Sequence, residues 1–126
     1  MAGLTLDAGA LIAAERGNRI FWALWKEAER RDLDVTVPAP VVVQVYRGAR
    51  SAVVARLLRA CIVEALDETR ARRAGVLCGD SGQADVTDAV VVSSAAVRGD
   101  DIVTSDPSDL AVLVENMKGA GRLVPI

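Results

Sequence analysis

Leu4-Thr5-Leu6-Asp7-Ala8-Gly9-Ala10-Leu11-Ile12-Ala13 is the stretch whose reading decides the fold. Its first three residues form a short apolar strand that ends at Asp7, and the Ala-rich run from Ala8 to Glu15 has the composition of a helix. A strand feeding directly into a helix, with a carboxylate at the junction, is the opening unit of an α/β fold. The same alternation continues outward. Asn18 is placed to cap a second helix running to about Arg31, with Ile20, Phe21, Leu24, Trp25 and Ala28 recurring at helical spacing on one core-facing side. Val35-Thr36-Val37 predicts a second strand stopped by Pro38 and Pro40. Val41 to Arg47 and Ser51 to Arg59 then read as short helices broken at Gly48.

Cys61 to Ala65 predicts a third strand, after which Asp67 caps a helix from Glu68 to Cys78. Gly79 to Gln83 has the composition of a loop. Ala84 to Val97 is an apolar helix closed by Arg98-Gly99, and Ile102-Val103-Thr104 is a fourth strand. Asp106 is expected to cap a helix with Pro107 in its first turn, running to about Lys118 before a last strand at Leu123-Val124-Pro125. Strands alternating with helices imply right-handed crossovers and a parallel sheet. The expected architecture is therefore a three-layer α/β/α sandwich, with a mainly parallel sheet of four to five strands, in a single domain over residues 1–126.

Composition narrows the chemistry. Histidine is absent, which removes Ser-His-Asp and Cys-His nucleophilic sites, His-ligated zinc and imidazole acid-base work. Catalysis then rests on carboxylates, metals, hydroxyls or Arg. The net charge is −2, and the positive charge is almost entirely Arg. Two cysteines, Cys61 and Cys78, make neither a disulfide framework nor a zinc spacing, and are expected to be reduced thiols. No apolar run reaches the roughly 20 residues that span a bilayer, and the opening residues lack the pattern of a signal peptide, so a cytoplasmic location is expected.

In an open parallel sheet, ligands bind outside the carboxyl ends of the strands. Asp7 follows the first strand and Asp106 the fourth, so the two carboxylates meet if those strands are neighbours. Asp85 and Asp88, three residues apart at the start of one helix, offer a further pair on one face of its first turn. Each aspartate alone is also well explained as a helix cap or a complement to the helix dipole. As a set they repel one another, and a hard divalent cation such as Mg²⁺ or Mn²⁺, which prefers oxygen ligands, resolves that repulsion. One or two such ions, about 3.5–4 Å apart in two-metal sites, support hydrolysis of phosphodiesters without histidine. Arg47, Arg50, Arg56 and Arg59 cluster between the second and third strands. They serve equally as phosphate contacts or as a solvated helical face. An aspartyl-phosphate enzyme built on Asp7 is disfavoured, because Lys26 and Lys118 are the only lysines and neither follows a strand end.

The chain resembles the PIN-domain family, and within it the ribonuclease toxins of bacterial type II toxin-antitoxin pairs of the VapBC kind. The resemblance rests on Leu4 to Ala13, Val37-Pro38-Ala39-Pro40 with Val45-Tyr46-Arg47-Gly48, Asp85-Val86-Thr87-Asp88-Ala89, and Val103 to Leu110. It implies a metal-dependent endoribonuclease acting on RNA, a cognate antitoxin partner and a homodimer. Asp7, Asp88 with Asp85, and Asp106 correspond to the family's acids, and Ser105 to a hydroxyl beside the last of them. Asp109 is expected to be peripheral. The family usually has Glu where this chain has Gln44, which removes one negative charge and puts catalytic strength in question. Arg47, and Arg50 beside it, are the residues expected to touch RNA. The competing reading is a catalytically weakened PIN-like binding module without nuclease activity.

Overall fold

A computed structural model describes residues 2–82 and 85–126. Five strands form one sheet in the order β3-β2-β1-β4-β5, all parallel. They are β1 (Leu4–Leu6), β2 (Val35–Pro38), β3 (Ile62–Glu64), β4 (Asp101–Thr104) and β5 (Leu123–Pro125). The helices are α1 (Ala8–Glu15), α2 (Arg19–Arg30), α3 (Ala39–Val45), α4 (Ala52–Ala60), α5 (Glu68–Ser81), α6 (Val86–Arg98) and α7 (Pro107–Glu115), with a short 3-10 turn at Gly48–Arg50. α1 packs on α2, α3 and α4, whereas α5, α6 and α7 pack on one another, so the sheet lies between two helical layers. This is the expected three-layer α/β/α sandwich, PIN-like in its strand order.

The order places β1 and β4 side by side, with Leu4 against Asp101 and Leu6 against Val103. The adjacency on which the meeting of Asp7 and Asp106 depends is therefore present. The core is aliphatic: Leu6, Leu11, Val37, Val91, Ile102 and Leu113 are all but inaccessible, and Phe21 is the one buried ring among them. α6 is the central helix, its residues Ala89 to Ala96 all buried. Cys61 and Cys78 are free and half-buried, and burial pushes the Cys61 thiol up to about 11, as suits inert reduced thiols.

Several boundaries differ from expectation for local reasons. α3 begins at Ala39, not Val41, and holds Pro40 in its first turn, where a missing N–H costs nothing. Its valines are helical because Val41 and Val45 are buried in the core, which overrides their β preference. Gly79 to Ser81 are not loop but the last turn of α5, which ends at Gly82 in the left-handed region at φ 69°. α6 starts at Val86, so Asp85 is its N-cap rather than a first-turn residue. The expected positions of Gln83 and Ala84 lie outside the described residues. Ile20, read as core-facing, is exposed.

Candidate active site

Asp7 N-caps α1: its carboxylate accepts the Ala10 amide at 2.8 Å, while its own amide donates to the Val103 carbonyl of β4. The bond to β4 fixes the end of β1 against the neighbouring strand, and the residue is buried. Burial raises the Asp7 pKa, as does the charge of Asp106. Hydrogen bonds from the Thr104 hydroxyl and the Ala10 amide act in the opposite direction.

Asp106 stands at the N-cap position of α7, yet its side chain makes no capping bond. This corrects the expectation of a cap. The capping aspartates Asp7, Asp67 and Asp85 have φ between −77° and −89°, whereas Asp106 has φ −138°, and one of its oxygens accepts the Ser108 hydroxyl at 2.8 Å instead. That hydroxyl lowers the Asp106 pKa. Its own amide is held by the Thr104 hydroxyl at 3.0 Å, which sets the turn leaving β4.

Asp85 accepts the Asp88 amide at 2.9 Å. Asp88 itself is half-buried, and its pKa is pushed up to about 6, first by burial and then by the charges of Asp85, Asp7, Asp109 and Asp106. That list locates the site: carboxylates from the ends of β1 and β4 and the starts of α6 and α7 all act on one group. Asp109, expected to be peripheral, belongs among them; the Asp106 charge raises its pKa and it acts in turn on Asp88. Its place three residues after Asp106 in a helix start was the available signal. Asp7, Asp85, Asp88, Asp106 and Asp109 take part in none of the ion pairs seen among the described residues.

Ser105 joins this edge through a feature missed in the sequence. A Cβ placed on Gly9 would lie 2.1 Å from Ser105 Oγ and 3.4 Å from Asp7 Oδ1. Only glycine in the first turn of α1 leaves room for the Ser105 hydroxyl beside Asp7. Gln44 is exposed on α3, with no described contact to the acids. Arg47 turns back on its own helix, its guanidinium donating to the carbonyls of Val43 and Tyr46, both at 2.9 Å, and so closes the end of α3. Arg50 is exposed in the following turn.

The donors fit a hard divalent cation by type: oxygen only, anionic and mutually repelling. Among the described residues, no three carboxylates stand close enough to ligate one ion together. Mg²⁺ is commonly held by one or two carboxylates plus water and substrate phosphate, so the two observations are compatible. A cleft of about 280 Å³ lined by Trp25, Ala28, Leu33 and Ala60 lies away from the acids. Charge and topology mark the acidic edge as the candidate site.

A three-layer sandwich around a parallel five-stranded sheet is consistent with a PIN-like fold. Among solved structures, the chain is similar to VapBC2 from Rickettsia felis bound to a DNA fragment from its promoter, with a TM-score of 0.70, 10% identity and 98% of each chain covered. At that identity the likeness is one of fold. No protein-family model and no curated protein matches the sequence. Among the described residues, no helix is long and apolar enough to cross a membrane.

Proposed function

We propose that the protein is a metal-dependent endoribonuclease, the toxin of a VapBC-like type II pair. The observation that supports this reading is the burial of Asp7 and Asp88, both raised further by the charge of Asp106, at the carboxyl edge where β1 and β4 are neighbours. Asp7, Asp88 and Asp106, with Asp85 beside them, would hold Mg²⁺ or Mn²⁺. Such an ion supplies Lewis acidity toward a phosphodiester and activates water at neutral pH. Asp7 is held by Ala10 and the β4 backbone and so serves as the fixed acid of the site. Asp88, its pKa pushed up to about 6 by burial and neighbouring charge, is mostly ionised at neutral pH, and a cation would offset that strained charge. The Ser105 hydroxyl, seated over Gly9, is placed to donate a hydrogen bond beside Asp7. Arg47 is engaged with α3, which leaves Arg50 as the freer cation for the RNA backbone. A cognate antitoxin, a homodimer and a cytoplasmic location complete the reading; the fold neighbour is itself a VapBC assembly.

The test is cleavage of a structured RNA in Mg²⁺ or Mn²⁺. Cleavage should vanish with chelator and fall by a factor on the order of 100 or more in Asp7→Ala and Asp88→Ala proteins that still fold. Undiminished cleavage by both variants would refute the reading. One observation favours a second reading, a binding module without nuclease activity: Gln44 replaces an acid and stands exposed, while no three described carboxylates form a ligating group. Mn²⁺ titration by calorimetry separates the two, since the module predicts no saturable binding.

A further inference from the structure

The acids of the candidate site depend on where α6 lies, and the side-chain hydrogen bonds described from α6 to the sheet are at its far end. Arg98, its last residue, donates from Nε to Asp100 at 2.8 Å, from one terminal nitrogen to Glu64 at the end of β3, and from the other to the Thr5 hydroxyl of β1 at 2.9 Å. Ser94, one turn earlier, donates to the same Glu64. Asp100 is buried and also accepts the Gly3 amide at 2.9 Å and the Thr5 hydroxyl at 2.8 Å. One guanidinium thus ties the helix to two strands of the sheet and to the residue that opens a third. At the other end, the side-chain bond described for α6 is internal to it, from Asp85 to the Asp88 amide.

Packing seats α6 against α3, α5, α7 and the sheet through a buried surface of Ala, Val and Ser, and Arg98 adds a directional tie at one end. Arg98 borders two open clefts of about 460 and 450 Å³, so this corner is joined by charge-assisted bonds rather than by filled volume. The link to β4 is short but turns at Gly99, in the left-handed region at φ 71°. From Arg98 to Asp88 the helix measures about 15 Å, so a tilt of about 5° about its C-terminal end moves Asp88 by about 1.3 Å. Misplacement on that scale is enough to cost on the order of 100-fold in a pre-organised site.

We propose that Arg98 is a positioning residue: by bridging Glu64, Thr5 and Asp100 it sets the tilt of α6, and so the placement of Asp88 against Asp7 and Asp106. The inference rests on the acidic edge being the functional site, but its test needs neither metal nor RNA. Amide dipolar couplings of the metal-free protein give the orientation of residues 86–98 relative to the five strands. In Arg98→Met the helix should reorient by about 5° or more while the strand couplings still fit the parent sheet, a change that a loss of stability alone does not produce. Arg98→Lys, which keeps the charge but not the three-way fork, should fall between. If Arg98→Met does not fold, Glu64→Gln removes one anchor and should give a smaller reorientation in the same sense. A helix that keeps its parent orientation in the folded variant overturns the proposal. A parent protein that cuts no RNA would sink the nuclease reading and leave the measured orientation standing.

Discussion

Two groups of acids sit on this sheet, and they are treated in opposite ways. At the Arg98 corner, Asp100 and Glu64 are matched by guanidinium, hydroxyl and amide donors. At the carboxyl edge, Asp7, Asp85, Asp88, Asp106 and Asp109 face one another without a described ion pair, and burial with repulsion raises Asp7 and Asp88. The same side chains are paired in one place and left to repel one another in the other. What distinguishes them is the company of Arg.

The sharpest way to break that comparison is to delete one acid from each group. Asp100→Ala leaves Arg98, the Gly3 amide and Thr5 without their acceptor in a buried setting, which should cost about 3 kcal/mol of stability in a urea melt. Asp106→Ala removes an exposed acid from a repelling group and should leave the urea midpoint essentially unchanged. Equal losses from the two would mean that the acidic edge is a structural network like the other.

The next effect is smaller and depends on pH. The Asp88 carboxyl has an ordinary value of 3.8 and a folded value of about 6. The folded state therefore binds the proton more tightly than the unfolded one. The associated stability is full below about pH 4 and lost as pH rises through about 6. Asp88→Asn should raise the melting temperature of the metal-free protein at pH 7.5 by roughly 4 °C, taking about 1 kcal/mol after allowing for solvent screening of a half-exposed group. At pH 4 parent and variant should coincide. A variant that melts lower at pH 7.5 would mean that Asp88 is held by partners rather than strained by neighbours. Saturable Mn²⁺ binding should strengthen between pH 5 and 7 with release of a proton, for the same reason.

The sequence made the fold and the main acids legible because both are written in local pattern. Strand ends at Asp7 and Asp106, the Asp85–Asp88 pair and the β/α alternation all follow from residues a few positions apart. The β1–β4 neighbourhood had to be assumed, since strand order is a long-range property of crossovers, and it is present. What escaped the reading depends on orientation in space. Asp106 was expected to cap and does not, because Ser108 takes one of its oxygens. Asp109 was read as peripheral, yet its charge acts on Asp88, and the Arg47 guanidinium donates to the Val43 and Tyr46 carbonyls, bonds that no spacing rule announces. The Arg98 bridge joins Thr5 of β1, Glu64 of β3 and Asp100 just before β4, and is equally unannounced.

Gly9 gives the finest contrast, because two known effects oppose each other there. Glycine within α1 lowers helix propensity, and alanine would add about 0.8 kcal/mol if the site were open. The added Cβ would meet Ser105 Oγ at 2.1 Å and Ser105 Cβ at 3.3 Å, so the hydroxyl must leave its place. The two terms should nearly cancel in Gly9→Ala, with a melting temperature within roughly 2 °C of the parent. Removing the obstacle should unmask the first term: in a Ser105→Gly background the same substitution should stabilise by about 0.8 kcal/mol. If Gly9→Ala is equally stabilising in both backgrounds, Ser105 is not seated over α1. The hydroxyl would then have no defined position beside Asp7, and its assignment to the acidic edge would fall with it.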